Sequence, residues 1–174
     1  MEEKSPSAFK ATLTYGILLG VAMIVLHLVM FLLDMHKNQN LSYITLVLIL
    51  IGMTVGTIDY RNKKLNGFIS YGQAVKIGFL TILFAAIVSA VYTYIFYSAI
   101  SPGDLQDIRM EQAQDVYNRN LDPDAEAQML KWQGYFITPF VLSFGSVIFY
   151  AIPGILIALF IAIFLKKEEK VNLS

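Results

Sequence analysis

Residues 59–76 read DYRNKKLNGFISYGQAVK, and what flanks this stretch decides the fold. It carries Arg61, Lys63, Lys64 and Lys76, the densest group of basic side chains in the chain. Asn66-Gly67 is a turn dipeptide, because Gly tolerates a positive φ. Ser70 with Gln73 three positions on makes a capping box, in which hydroxyl and carboxamide satisfy first-turn amides reciprocally. One helix therefore ends before Asn66 and another starts near Tyr71. Uninterrupted apolar sequence lies on both sides, so the stretch reads as a basic elbow between two membrane-crossing helices.

Four apolar blocks dominate the rest. The chain has 174 residues, is 56% hydrophobic and has a mean hydropathy of +0.59, where soluble domains sit nearer 45–50% apolar. Charge-free apolar runs of about 18 residues or more read as transmembrane helices. The blocks imply helices over about 11–33, 41–58, 71–100 and 138–165. The first is longer than the roughly 7–15-residue core of a cleaved leader, and no small-residue cleavage site follows it. It is expected to stay as an uncleaved helix, with Ser7 as its cap. Tyr43, Tyr60, Tyr71, Tyr94, Tyr97 and Tyr135 fall near block ends, as interfacial aromatic belts do. Pro139 starts or kinks the last block, and Pro153-Gly154 bends it.

Between the third and fourth blocks lies the one sizeable polar segment, 101–137. Ser101-Pro102-Gly103-Asp104 and Asp122-Pro123-Asp124 are two helix starts, each with a cap followed by proline at the first helical position. They predict helices over about 102–119 and 123–136. In the second, Ala125, Met129, Trp132 and Phe136 share one face. Seven of the 13 acids lie in this segment against Arg109, Arg119 and Lys131, so the insert is acidic.

Basic residues set the orientation. Nine of 13 lie in the N-terminal tail (Lys4, Lys10), the elbow and the C-terminal tail (Lys166, Lys167, Lys170). Lys37 and the three in the insert make up the remainder. The positive-inside rule places both termini and the elbow in the cytoplasm and the insert outside. The sequence thus predicts an all-α integral membrane protein: a single transmembrane domain, a bundle of four helices with an acidic, helical, extracytoplasmic hairpin between helices 3 and 4.

Composition excludes more chemistry than it offers. With no cysteine there are no disulfides, thiolate metal sites or cysteine nucleophiles. Zero net formal charge gives no field for nucleic acid. No phosphate-binding loop, HExxH, GxSxG or dinucleotide fingerprint is present, and neither a catalytic residue, a cofactor nor a metal is expected. Gly16 and Gly20, and Gly52 and Gly56, each form a GxxxG face suited to close helix approach. These glycines serve bundle packing, a homodimer seam or a sliding gate. His27 is the one ionisable side chain well inside a block, a candidate polar site; the plainer reading is a neutral imidazole bonded to Thr45, Ser89 or Tyr92. Asp34, His36 and Asp59 read as interfacial polarity. Met129, Trp132 and Phe136 are a candidate interface, seated on the membrane surface, packed back on the bundle or docked to a partner.

The whole pattern resembles a family of small bacterial inner-membrane proteins, mainly of Bacteroidota, catalogued as a domain of unknown function. The resemblance rests on Gly16 and Gly20 in the first helix, Arg61 ending the second, and the elbow Gly67-Phe68-Ile69-Ser70-Tyr71-Gly72-Gln73-Ala74 with Gly78 beyond it. An acidic helical insert and a last helix ending in Lys166-Lys167 complete it, over about residues 8–168. It implies a four-helix protein of the bacterial cytoplasmic membrane and no activity. The expected role is that of a non-enzymatic accessory or scaffold subunit, acting in the lipid bilayer with a membrane-protein partner or as a homo-oligomer. The rival expectation is a small oligomeric transporter or channel subunit. A membrane enzyme would need Asp34, His36 and the acids of 101–137 to converge.

Overall fold

The computed structural model describes residues 8–38 and 42–167. Among them are six α-helices: α1 (Ala8–Leu32), α2 (Ser42–Lys64), α3 (Tyr71–Ile95), α4 (Pro102–Tyr117), α5 (Pro123–Phe136) and α6 (Pro139–Leu165). A π-helical turn, Phe96–Ile100, continues α3. Four helical stretches are long and apolar enough to cross a membrane: Phe9–Leu32, Tyr43–Lys64, Tyr71–Ile100 and Pro139–Leu165. The Ser7 cap, the start of the second helix at Leu41, and Lys4 and Lys170 lie outside the described residues. The described residues divide into two compact units, those up to 89 together with those from 147 onward, and residues 90–146.

In the first unit α3 is the central element. Its buried face runs through Ala74, Ile77, Gly78, Thr81, Ile82, Ala85, Ala86 and Ser89, mostly small residues that let backbones come close. α1 meets it through glycine. A Cβ on Gly16 would fall 2.4 Å from the Phe84 Cβ and 2.9 Å from the Thr81 carbonyl; one on Gly20 would fall 2.8 Å from the Val88 Cβ. α2 turns its glycines to α1: a Cβ on Gly52 would strike Leu19 at 2.6 Å, and one on Gly56 would meet Tyr15 at 3.2 Å. α6 approaches α3 at Gly154, where a Cβ would lie 2.7 Å from Ile82. Leu19, Met23, Ile49, Met53, Ile82, Ala85 and Ala158 form the buried apolar cluster.

The elbow forms as its sequence dictates. Asn66 and Gly67 both take positive φ, 51° and 88°, and the Gly67 amide donates to the Arg61 carbonyl at 2.9 Å. The capping box closes in both directions: the Ser70 amide donates to Gln73 Oε1 at 3.0 Å, and the Gln73 amide to Ser70 Oγ at 3.4 Å. α2 continues past its apolar block to Lys64, because the basic residues that end the block are good helix formers and favour a helix C-terminus. The elbow then clasps the end of α6. Ile69 and Lys167 form an isolated antiparallel pair, Arg61 Nη1 donates to the Leu165 carbonyl at 3.1 Å, and Tyr71 Oη donates to that of Leu159 at 3.3 Å. Ile69, Ala74 and Ala162 close a second buried cluster beneath it.

In the second unit α4 and α5 pack antiparallel. Arg109 puts Nε and Nη2 on the Ile137 carbonyl at 2.9 and 2.7 Å, and the Gln133 amide nitrogen Nε2 donates to the Gln112 carbonyl at 2.9 Å. Asp122 caps α5, accepting from the amides of Asp124 and Ala125 at 3.1 and 3.0 Å. Ser101 does not cap α4 with its side chain, contrary to the sequence reading. Its amide is bound to the Phe96 carbonyl at 2.8 Å, which closes the π turn and holds its backbone at φ −138°, ψ 71° rather than in the extended geometry of a capping residue. α4 ends at Tyr117, two residues earlier than expected, and Asn120 turns left-handed at φ 49°.

Candidate functional site

The end of α1 builds the principal site. Asp34 takes φ 54°. The Met35 amide donates to the Met30 carbonyl at 2.8 Å and the Asp34 amide to that of Phe31 at 3.0 Å. This pair of bonds around a left-handed residue is a Schellman motif. It turns the chain back over the last turns of α1, so that the His36 ring lies 6.1 Å from that of His27 and 5.0 Å from that of Phe31, centroid to centroid.

The two imidazoles share a cavity of about 400 Å³ between α1, α2 and α6, within the range of small-molecule sites. Tyr43 and Thr45 of α2 and Tyr150 of α6 add hydroxyls to its lining. Met30, Leu46, Ile49, Phe149 and Ile157 supply apolar wall. Among the described residues, none that lines it carries a permanent charge. α6 contributes Pro153-Gly154 at the same place. Pro153 lies inside α6 and has no N–H to offer the Phe149 carbonyl, the helical partner it would otherwise bond. The sequence singled out His27 and Thr45; it did not bring His36 or Tyr150 to them. Ser89, an expected partner of His27, is not among the lining residues.

The set is rich in hydrogen-bonding groups. Each neutral imidazole offers one donor and one acceptor, and each hydroxyl one donor. Two histidines fall short of a metal centre, and no group of three or more His, Cys, Asp or Glu among the described residues is placed to hold a metal ion.

A second feature lies in the second unit. A groove of about 490 Å³ runs between α4 and α5, lined by Ile108, Val116, Met129, Trp132, Phe136 and Leu142 among others. Trp132 stacks on Phe136 with centroids 6.1 Å apart and meets Tyr135 at 6.3 Å. None of α5 is buried, and Trp132, Tyr135 and Phe136 are 55, 62 and 59% exposed. Met129, Trp132 and Phe136 all line this groove. Of the elbow bases, Arg61 serves the α6 carbonyl terminus, Lys63 bonds Asp59 at 2.9 Å, and Lys64 and Lys76 are exposed.

A family model matches residues 14–167; its description is "Protein of unknown function (DUF4199)". No curated protein and no solved structure matches the chain.

Proposed function

The chain belongs to that family, DUF4199, and from this premise we propose a multi-pass integral protein of the bacterial cytoplasmic membrane that acts by association, without catalysis, as an accessory or scaffold subunit. Both termini and the elbow are cytoplasmic and the α4–α5 pair extracytoplasmic; the distribution of lysine and arginine supports this orientation. The observation that carries the association reading is the exposed aromatic face of α5, with Trp132 stacked on Phe136 beside an apolar groove. Exposed aromatics bordering a groove are the anchors protein interfaces use. Seven acids against three basic residues in 101–137 select a partner segment with an apolar face and basic flanks. The rival reading, a transporter or channel subunit assembled through glycine faces, draws no support from Gly16, Gly20, Gly52 and Gly56, which are taken up in contacts within the chain.

The test is photocrosslinking in cells from Met129, Trp132 and Gln112, followed by mass spectrometry. A discrete membrane-protein adduct from Met129 and Trp132, weakened by Phe136→Ala, is the expected outcome. Adducts to lipid alone, or to the chain itself, at every position would overturn the reading.

A further inference from the structure

We infer that the cavity between α1, α2 and α6 is a binding site for a neutral, flat, lipophilic molecule bearing carbonyl acceptors, of the quinone class. The inference is independent of the association reading, which uses the other unit.

Three features of the cavity select this chemistry. The first is the way in. Tyr43, Leu46 and Phe149 line it and are 69, 42 and 72% exposed, so its mouth is built of apolar and aromatic surface on helices long enough to span a bilayer. A ligand that crosses such a mouth arrives from the lipid rather than from water. The second is charge. Among the described residues, no Lys, Arg, Asp or Glu lines the cavity. A carboxylate or phosphate brought into it would find only the two imidazoles to take up its charge, and the rest of its hydration would be lost uncompensated. The lining therefore favours a neutral ligand. The third is the donor set. His27, His36, Tyr43, Thr45 and Tyr150 place imidazole and hydroxyl groups around one apolar space. The carbonyls of a quinone accept from imidazole N–H and phenolic O–H.

Shape agrees with chemistry. The lining is rich in rings, with Tyr43, Phe149, Tyr150 and the two imidazoles from three helices and the loop after α1. Aromatic planes favour a flat conjugated guest over a branched or globular one. The cavity's size suits a ring headgroup with the first part of its tail. The two histidines act here as hydrogen-bond partners to the ligand, with no part in a proton relay or a metal site.

The experiment uses the full chain in lipid nanodiscs. It is titrated with a short-chain quinone analogue, and in parallel with a carboxylic acid and an alcohol carrying the same alkyl tail; the readout is the shift in thermal unfolding and the dissociation constant. Saturable quinone binding is expected, with the acid and the alcohol weaker by about tenfold or more, since each lost hydrogen bond to a buried partner costs about 1–3 kcal/mol. His27→Leu should weaken quinone binding by about tenfold. His36→Leu, in the loop after α1, gives the same reading should the helix variant fail to fold. Absence of saturable quinone binding overturns the inference. So does equal binding of all three probes, which marks an unspecific apolar pocket, or quinone binding that neither histidine variant affects.

Discussion

Ile69 and Lys167 exchange two backbone hydrogen bonds, each 2.8 Å long, so the basic elbow and the end of the last helix are one structure. Ile69 is 1% exposed and packs on Ala74 and Ala162. Its amide bond and its side chain act together: the pairing fixes where α6 ends, and the side chain seals the cluster under it. Arg61 reinforces the same point by donating to the Leu165 carbonyl, one of the orphan acceptors every helix leaves at its C-terminus.

From this follows the first prediction. Ile69→Ala should cost about 2–5 kcal/mol, the usual range for emptying a filled buried site. The neighbouring Phe68→Ala should cost far less, since Phe68 stands at the surface with Lys167 over its ring at 5.6 Å. Reversible unfolding in detergent measures both; equal losses would contradict the sealed clasp.

A second prediction separates the glycines that packing requires from those it does not. Gly16→Ala sets a methyl group 2.4 Å from the Phe84 Cβ and against a backbone carbonyl. Neither neighbour is the far end of a flexible side chain, so α1 must move off α3, at about 1–3 kcal/mol. At Gly72 nothing lies within 4 Å of the added atom, and Gly72→Ala should be neutral or stabilising by about 0.4–1 kcal/mol. The pair is read on one melting curve series.

The contrast shows which parts of the fold the sequence discloses. Ser70-x-x-Gln73, Asp122 with Pro123, and Asn66-Gly67 are local devices whose partners lie within a few residues, and each forms as its spacing predicts. The four apolar blocks are equally local, since hydropathy alone defines them. The GxxxG pairs say that some helix comes near; which one depends on tertiary contacts, and the two pairs face different neighbours. Ser101 misleads because the π turn before it takes its amide, a backbone event with no signature in Ser-Pro-Gly-Asp. The site is less legible still. His27 stands out as an imidazole in an apolar run, but His36 reaches it only through the left-handed turn at Asp34, and Tyr150 only through the packing of α6.

A third prediction concerns Asp59, read from sequence as interfacial polarity. In the structure its carboxylate accepts from Tyr15 Oη and pairs with Lys63 Nζ at 2.9 Å, linking α1 to α2. Tyr15→Phe should cost about 1.5–3 kcal/mol, the range for a hydrogen bond to a charged group. Lys63→Met should change stability by no more than about 0.5 kcal/mol, because the Lys63 side chain is 69% exposed and such pairs are screened. The double variant Tyr15→Phe with Asp59→Asn should cost less than the two single losses combined, by about 0.5–3 kcal/mol. Additive losses would show that the two side chains act separately.

The fourth prediction concerns orientation. Because the chain contains no cysteine, single Asn66→Cys and Gln114→Cys variants report on a silent background, and both positions are exposed. Crossing parity makes the two sites a strict pair: an odd number of candidate spans separates the elbow from α4, so one reporter must face each side. Nine lysines and arginines in the tails and elbow against four elsewhere predict, by the positive-inside rule, that Asn66 faces inward and Gln114 outward. A membrane-impermeant thiol reagent added to intact cells should label the Gln114→Cys variant and leave the Asn66→Cys variant untouched until the membrane is opened. The reverse pattern would invert the topology and turn the aromatic face of α5 toward the cytoplasm. Labelling of both variants in intact cells would contradict the third span itself, and with it the reading of α3 as a membrane-crossing helix.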